Sequence, residues 1–132
     1  MKPVFPTISA VNHVSYTTGC VPGDHGILSN YFFDPERGAF TGSRDADWRT
    51  GCDTVWESVE QAGLSAAALG FTGHYSETRG ATATHAPREN SWQDSPEDSE
   101  RTNHIVELLN LPEAERPALI AAYYKSPDWV GH

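Results

Sequence analysis

The stretch PTISAVNH, residues 6–13, places a serine, an asparagine and a histidine within five residues. A serine at the first turn of a helix faces unpaired backbone N–H groups and the positive end of the helix dipole, which favour an incoming phosphate. With a base or a metal ion to lower its pKa, the hydroxyl of Ser9 could attack phosphorus. The alternative is an ordinary N-cap, and on local evidence a cap is the more common use of serine.

The C-terminal end of the sequence contains a possible metal site. Asp128 and His132 are four residues apart and follow an apolar stretch that reads as a buried strand. Zinc accepts both carboxylate and imidazole ligands, so the pair could bind one metal ion. The alternative is an aspartate in a Ser-Pro-Asp turn and a histidine at a frayed end, and spacing alone favours this alternative.

Amide and imidazole side chains near the serine could assist it. Asn12 and Asn30 are donors of the kind that a phosphoryl transition state needs at its equatorial oxygens, although turn asparagines are far more common than such donors. His13 and His25 could be metal ligands or general acids. Histidines in such positions more often bond to the backbone and hold a loop.

Helix and strand signals alternate along the chain and would position these side chains. Ser9 can cap a helix through AVNHVSYTT, DTVWESVEQAG has one apolar face, and Ser95 begins a helix that Pro112 stops. LSAAALGF and PALIAAYY predict buried strands, residues 20–48 predict an ordered loop with a short hairpin, and residues 72–92 predict a surface loop. The alternation is that of an α/β sandwich, in which chemistry gathers at the carboxyl ends of the strands.

Composition limits the partners. The chain has 132 residues, of which 38% are hydrophobic, so it can form one core, and no segment approaches the apolar length of a membrane span. The net charge of −9 argues against a nucleic-acid polymer and an anionic lipid surface as partners. No signal peptide can be read at the N-terminus. Cys20 and Cys52 lack zinc-finger spacing, and we expect two unpaired small hydrophobes.

Several motifs in order resemble a known family. FPTISAVNHVSYTTGCVPGDHGILSNYFFDP resembles the start of the type I phosphodiesterase/nucleotide pyrophosphatase family of the alkaline phosphatase superfamily. That family reads Pro-Thr, a nucleophile, Asn-His, Thr-Gly, a Pro, His-Gly-Ile, an Asn, and an aromatic before Asp-Pro. The resemblance continues through DWRTGCDTVWESVEQAG to the ending Pro-Asp-x-x-Gly-His, and only residues 72–90 match poorly. It implies a partial alkaline-phosphatase-like α/β/α sandwich with a mostly parallel sheet.

The resemblance implies catalytic and metal-binding roles for the matching positions. Ser9 takes the nucleophile position, where it would form a phospho-serine intermediate and touch one of two divalent metal ions, with zinc as the expected metal. Asp128 and His132 match two ligands of the other metal ion. Asn30 matches the asparagine that holds the phosphate oxygens.

The resemblance also implies a pocket for a small phosphodiester or a nucleotide. Asn12 is a candidate substrate contact, Tyr123 matches a pocket tyrosine, and Trp92 lies where family members place an aromatic that stacks on a nucleobase. Two positions depart from the family. Ala10 stands where an aromatic usually follows the nucleophile, and Ile8 stands where a basic residue often precedes it. The substrate could therefore be a nucleotide, another phosphodiester such as a lipid or choline ester, or a phosphomonoester.

The resemblance covers only part of the family's catalytic domain. We expect residues 1–132 to be a single partial domain that lacks the first metal-binding strand and the C-terminal metal-ligand half, and that has little or no activity alone. The alternatives are a non-catalytic remnant or small acidic interaction protein, and a phosphomonoester or phosphonate hydrolase of the same superfamily. Relatives are commonly exported or membrane-anchored, so the compartment stays open.

Overall fold

The computed structural model describes residues 2–41, 48–75, 80–88 and 96–131. It contains both helices and strands, including one parallel strand pair, which confirms the predicted α/β class. In chain order the elements are α1 (Ser9–Thr18), α2 (Pro22–His25), β1 (Phe32–Asp34), β2 (Gly38–Phe40), α3 (Val55–Gln61), β3 (Ala66–Leu69), α4 (Asp98–Leu109), β4 (Leu119–Ala122) and α5 (Ser126–Gly131). No helix within these described ranges is both long enough and apolar enough to cross a membrane.

Strands β3 and β4 form a parallel pair that joins the middle of the chain to its C-terminal part. Ala66 pairs with Leu119 and Leu69 with Ala122, and α4 lies between the two strands in the chain, as parallel pairing requires. All four residues of β3 are buried, whereas β4 is half-buried. The two predicted strands are therefore confirmed, each over four residues of its predicted segment.

Helix α3 covers one face of this pair. Trp56 is 1% exposed and packs with Ala66, Ala68 and Ala83 in a core cluster. The helix begins with a capping box, in which the Thr54 backbone N–H donates to Glu57 Oε2 at 2.6 Å and the Glu57 N–H donates to Thr54 Oγ1 at 3.3 Å. These reciprocal bonds explain why the predicted helix starts at Val55.

A second core cluster joins α1 to the hairpin formed by β1 and β2. Its buried members are Ala10, Val14, Ile27, Phe40 and Trp48. The strands are antiparallel, with Phe32 opposite Phe40, and their rings stack with centroids 4.9 Å apart. The predicted short hairpin is thus confirmed, and it supports the helix that begins at Ser9.

The predicted capping of α1 by Ser9 is wrong. Ile8 is the N-cap residue and makes no side-chain cap bond, while Ser9 is the first helical residue. A distant residue supplies the acceptor that a capping side chain would otherwise provide. The Ala10 N–H, in the first turn of the helix, donates to Asn30 Oδ1 at 2.9 Å. Helix α4 likewise begins later than predicted, at Asp98, and Ser95 lies outside the described residues.

The expectation of two unpaired cysteines is also wrong. Cys20 and Cys52 form a disulfide across a sequence separation of 32 residues, with their Cα atoms 6.6 Å apart. Cys20 follows Gly19, where the backbone turns away from the end of α1 in the left-handed conformation. The bridge therefore ties the C-terminal end of α1 to the segment that leads into α3.

Candidate active site

One cleft collects most of the predicted site residues from opposite ends of the chain. It has a volume of about 440 Å³ and lies between the N-terminal end of α1 and the segment that follows β4. Its lining comprises Pro3, Thr7, Ile8, Ser9, Asn12, His13, Tyr123, Tyr124, Pro127 and Asp128. The sequence motifs that lie more than a hundred residues apart therefore meet at one surface.

Ser9 lies at the start of a helix and lines the cleft. It is the first residue of α1, where the dipole is positive, and its side chain is exposed in the cleft. The backbone before it is held by Asn12, since the Asn12 NH2 group donates to Pro6 O at 3.2 Å and to Ile8 O at 3.0 Å. The serine is thus presented on an ordered helix start.

Both ends of the Asn12 side-chain amide form hydrogen bonds with the backbone. Besides the two donor bonds, its Oδ1 accepts the Val4 N–H at 2.9 Å. Two donors and one acceptor are therefore bound to backbone groups. The substrate contact expected of Asn12 stays a prediction, while the observed bonds make it a clamp on residues 4–8.

Asn30 reaches the start of α1 from the loop before the hairpin. A backbone N–H only donates, and Oδ1 is the only acceptor on the Asn30 side chain, so the bond from Ala10 identifies Oδ1 as the atom that faces the helix. The NH2 group then points away from that bond, and no acceptor for it is found among the residues that the structure describes. Asn30 does not line the cleft itself, but its side chain is hydrogen-bonded to Ala10, the residue next to Ser9.

Aromatic rings contribute to the lining of the cleft and pack behind it. The Tyr123 ring lies with its centroid 4.5 Å from that of His13, and the His13 ring meets Phe71 edge-on at 5.4 Å. Burial raises the pKa of Tyr123, and the carboxylates of Asp128 and Asp98 raise it further. The phenol therefore stays protonated and can donate a hydrogen bond.

The two histidines near the serine both bond to backbone N–H groups, as such histidines commonly do. His13 Nδ1 accepts from Thr72 N at 3.3 Å, and His25 Nδ1 accepts from Ile27 N at 3.1 Å. Burial lowers the pKa of His13 to about 4, against the opposing effect of Asp128. Burial also lowers the pKa of His25, which is 0% exposed and cannot reach the cleft.

Asp128 lies on α5, whose start is held by another carboxylate. Asp98 Oδ1 accepts the Lys125 N–H at 3.2 Å, and Asp98 Oδ2 accepts the Ser126 N–H at 3.3 Å. Asp98 itself is the first residue of α4. No local signal could have revealed this contact, because it spans 27 residues.

The predicted metal ligands lie only partly within the described residues. Asp128 and Ser9 line the same cleft, while His132 and the proposed base-stacking Trp92 lie outside the described residues. Within the described part of the chain, no three His, Cys, Asp or Glu side chains are grouped so that they could hold a metal ion. Those residues therefore do not form a metal site by themselves.

Comparison with known sequences identifies close similarity along the whole chain. The family model described as type I phosphodiesterase/nucleotide pyrophosphatase matches residues 1–132. An uncharacterized pyrophosphatase/phosphodiesterase of Schizosaccharomyces pombe is 35% identical over 98% of this chain and 27% of its own length. The Homo sapiens ectonucleotide pyrophosphatase/phosphodiesterase family member 1 is 30% identical over 100% of this chain and 14% of its own length.

Solved structures share the fold. Human ectonucleotide pyrophosphatase/phosphodiesterase 5 superimposes with a TM-score of 0.86 at 27% identity, over 98% of this chain and 35% of that chain. An inactive form of the murine counterpart, solved in complex with AMP, has the same TM-score at 24% identity and the same coverage. The predicted alkaline-phosphatase-like fold is thus confirmed, and the chain spans about a third or less of the proteins that it matches.

Proposed function

Since the chain belongs to the type I phosphodiesterase/nucleotide pyrophosphatase family, we propose that it is the part of a hydrolase that carries the attacking residue for phosphodiester or pyrophosphate bonds. One observation carries this proposal. The exposed Ser9, at the positive end of α1, shares a cleft with Tyr123 and Asp128 from the other end of the chain. The helix end favours an anionic phosphate, and the tyrosine supplies a donor beside it.

The proposed reaction is a displacement at phosphorus in two steps. The oxygen of Ser9 attacks the phosphorus, a new P–O bond forms, and the bond to the leaving oxygen breaks. The leaving alcohol or phosphate takes up a proton, and the hydroxyl proton of the serine passes to solvent. Water then hydrolyses the phosphoryl-serine and restores the hydroxyl. The Asn30 NH2 group donates to the phosphate oxygens while charge develops on them.

The cofactors that we propose are two divalent metal ions, with zinc as the expected metal. Asp128 and His132 would hold one of them, and Ser9 would touch the other. When bound, such ions stabilise negative charge on the entering and leaving oxygens and lower the pKa of the attacking hydroxyl. A site with few of its ligands binds metal weakly, so we expect the 132-residue chain alone to show little turnover.

The substrate that we propose is a small phosphodiester or a nucleotide. The AMP in the murine structure supports a nucleotide, and Tyr123 places an aromatic ring in the lining of the cleft in which a base would lie. Ala10 does not provide a second face, because it is 5% exposed and packs in the core cluster of α1 and the hairpin. A small ester without a base is therefore the alternative within the same activity.

The test uses the longest protein encoded by the open reading frame that contains residues 1–132. It compares the unsubstituted protein with its Ser9→Ala and Ser9→Thr variants. Bis(p-nitrophenyl) phosphate and p-nitrophenyl thymidine 5′-phosphate are supplied with zinc. Ser9→Ala should lose at least about a thousandfold in kcat, since no oxygen remains to attack. Ser9→Thr keeps a hydroxyl, in the form usual for these phosphodiesterases, and should retain activity within about tenfold.

A second readout identifies the intermediate. Acid quenching during turnover should leave a phosphorylated peptide that contains Ser9, and the Ser9→Ala protein should yield none. Equal turnover by the Ser9→Ala and unsubstituted proteins would overturn the proposal. The proposal would also be overturned if the protein showed no turnover and its unfolding midpoint changed with neither zinc nor a chelator. That result would favour a non-catalytic role.

A further inference from the structure

His13 lies in the cleft at a position that the proposed reaction leaves unused. It follows Ser9 by four residues on α1, so the two side chains lie on one face of the helix with Cβ atoms about 6 Å apart. Both residues line the cleft. A phosphate ester seated against the serine would therefore lie within one helical turn of the imidazole.

The hydrogen bonds of the ring identify the nitrogen that carries the proton. The Thr72 backbone N–H donates to His13 Nδ1 at 3.3 Å, and Thr72 Oγ1 lies 3.2 Å from the same atom. A backbone N–H can only donate, so Nδ1 is the acceptor and the proton of the uncharged ring is on Nε2. This tautomer leaves one donor, Nε2–H, on the opposite side of the ring from Thr72.

The surroundings of Nε2 leave this donor open to the cleft. Among the residues that the structure describes, no oxygen accepts a hydrogen bond from Nε2. Within the same described residues, Nε2 is not among the fully buried side-chain atoms that lack a partner. His13 is 8% exposed and lines the cleft, where its free donor can meet a ligand.

Packing fixes the orientation of the ring and its charge. Phe71 and Tyr123 contact it at centroid distances of 5.4 and 4.5 Å. Burial holds the pKa of His13 near 4, well below neutral pH. A ring that is uncharged and held in one orientation presents its donor without losing much conformational entropy when a ligand binds.

We propose that the Nε2–H of His13 donates a hydrogen bond to a phosphate-ester oxygen of the substrate. The proposal rests on the proposed function, because it needs a phosphate ester in the cleft beside Ser9. No proton is transferred in this contact. His13 would therefore contribute to substrate affinity as a neutral donor, and the serine would remain the residue whose bonds change.

The first test measures the tautomer in the 132-residue chain and needs no ligand. In the chain labelled with 15N-histidine, we expect an unprotonated Nδ1 signal and a protonated Nε2 signal for His13 at pH 7. Loss of these signals in His13→Phe, which keeps an aromatic ring against Phe71 and Tyr123, assigns them. A protonated Nδ1 would overturn the proposal, whatever the substrate of the cleft.

The second test measures affinity in the longest protein encoded by the open reading frame that contains residues 1–132. Its parent protein carries Ser9→Ala, which prevents turnover, and each further substitution is made in that parent. One lost neutral hydrogen bond should weaken the Kd of bis(p-nitrophenyl) phosphate about fivefold in His13→Phe. His13→Gln, whose amide nitrogen can replace Nε2, should stay within about twofold of the parent. His104→Phe, on the exposed surface of α4, is the matched control and should leave the Kd unchanged.

The outcomes separate this proposal from the proposed function. Equal Kd values for His13→Phe and its parent would overturn the role of His13 while leaving the proposed function intact. A weakening in His13→Gln as large as that in His13→Phe would also overturn it, since the donor would then be irrelevant. Absence of saturable binding to the parent would overturn both proposals.

Discussion

Removing the disulfide is the perturbation whose magnitude follows most directly from the structure. Cys20 and Cys52 are joined across 32 residues, a loop that includes α2 and the hairpin. Cutting the bridge lets the unfolded chain recover the entropy of that loop. In the chain-entropy relation, 32 residues correspond to about 4 kcal/mol at 25 °C. Stability of this size is a large share of what a small domain has in total.

The assay is the thermal and urea unfolding of the 132-residue chain in which both cysteines are replaced by alanine. We expect the free energy of unfolding to fall by about 4 kcal/mol and the midpoint to fall by roughly 15 °C. Cys20→Ala and Cys52→Ala singly should each destabilise about as much as the pair, because either change breaks the same bond. A reductant should lower the midpoint of the unsubstituted chain and leave the double variant unchanged.

Two results would refute this reasoning. A double variant that melts within about 3 °C of the unsubstituted chain would mean that the loop is already constrained in the unfolded state, or that the bridge is absent in solution. Additive effects of the two single variants would mean that each cysteine acts through packing rather than through the bond. Binding of a phosphodiester should be spared, since Cys20 lies at the far end of α1, about 15 Å from Ser9.

Two further predictions concern stability. Between pH 7 and pH 5 the free energy of unfolding should fall by about 2 kcal/mol, because the unfolded chain protonates His13 near its ordinary pKa of 6.5 while the folded chain resists protonation down to about 4. Urea unfolding at several pH values should show a smaller dependence of the free energy of unfolding on pH in His13→Phe. A free energy of unfolding that does not change with pH in the unsubstituted chain would contradict the argument. Gly70→Ala should destabilise by about 3 kcal/mol, because its Cβ would lie 2.9 Å from the Arg101 guanidinium and φ is +81°. Gly63→Ala, with φ of +78° and open space around it, is the control and should cost about 1 kcal/mol, so equal losses would refute the clash.

The elements of the fold could be predicted from sequence because their signals are local. The apolar face of DTVWESVEQAG and the small apolar residues of LSAAALGF are patterns that can be seen within a few neighbouring residues. The first segment forms α3 and the second forms β3. The ordered motifs from Pro6 to Pro35 identified the family in the same way. Each of these inferences needs only residue types and their spacing.

The failures of sequence reasoning share one cause. Ser9 was expected to cap its own helix, but Asn30 supplies the acceptor from 20 residues away. Cys20 and Cys52 were expected to be unpaired, because nothing in the spacing of two cysteines shows that packing brings them together. Contacts between distant residues depend on how elements pack, which local patterns do not encode.

The candidate site divides along the same line. The sequence by itself determined which residues are candidates, since Ser9, Asn30 and Asp128 stand at matching positions of ordered motifs. Only the tertiary structure decided that Ser9 and Asp128 share a cleft, that the Asn12 amide is bound to backbone, and that the Thr72 N–H donates to His13 Nδ1. The physical reason is that hydrogen-bond direction and burial depend on groups that meet only when α1 packs beside the carboxyl ends of β3 and β4.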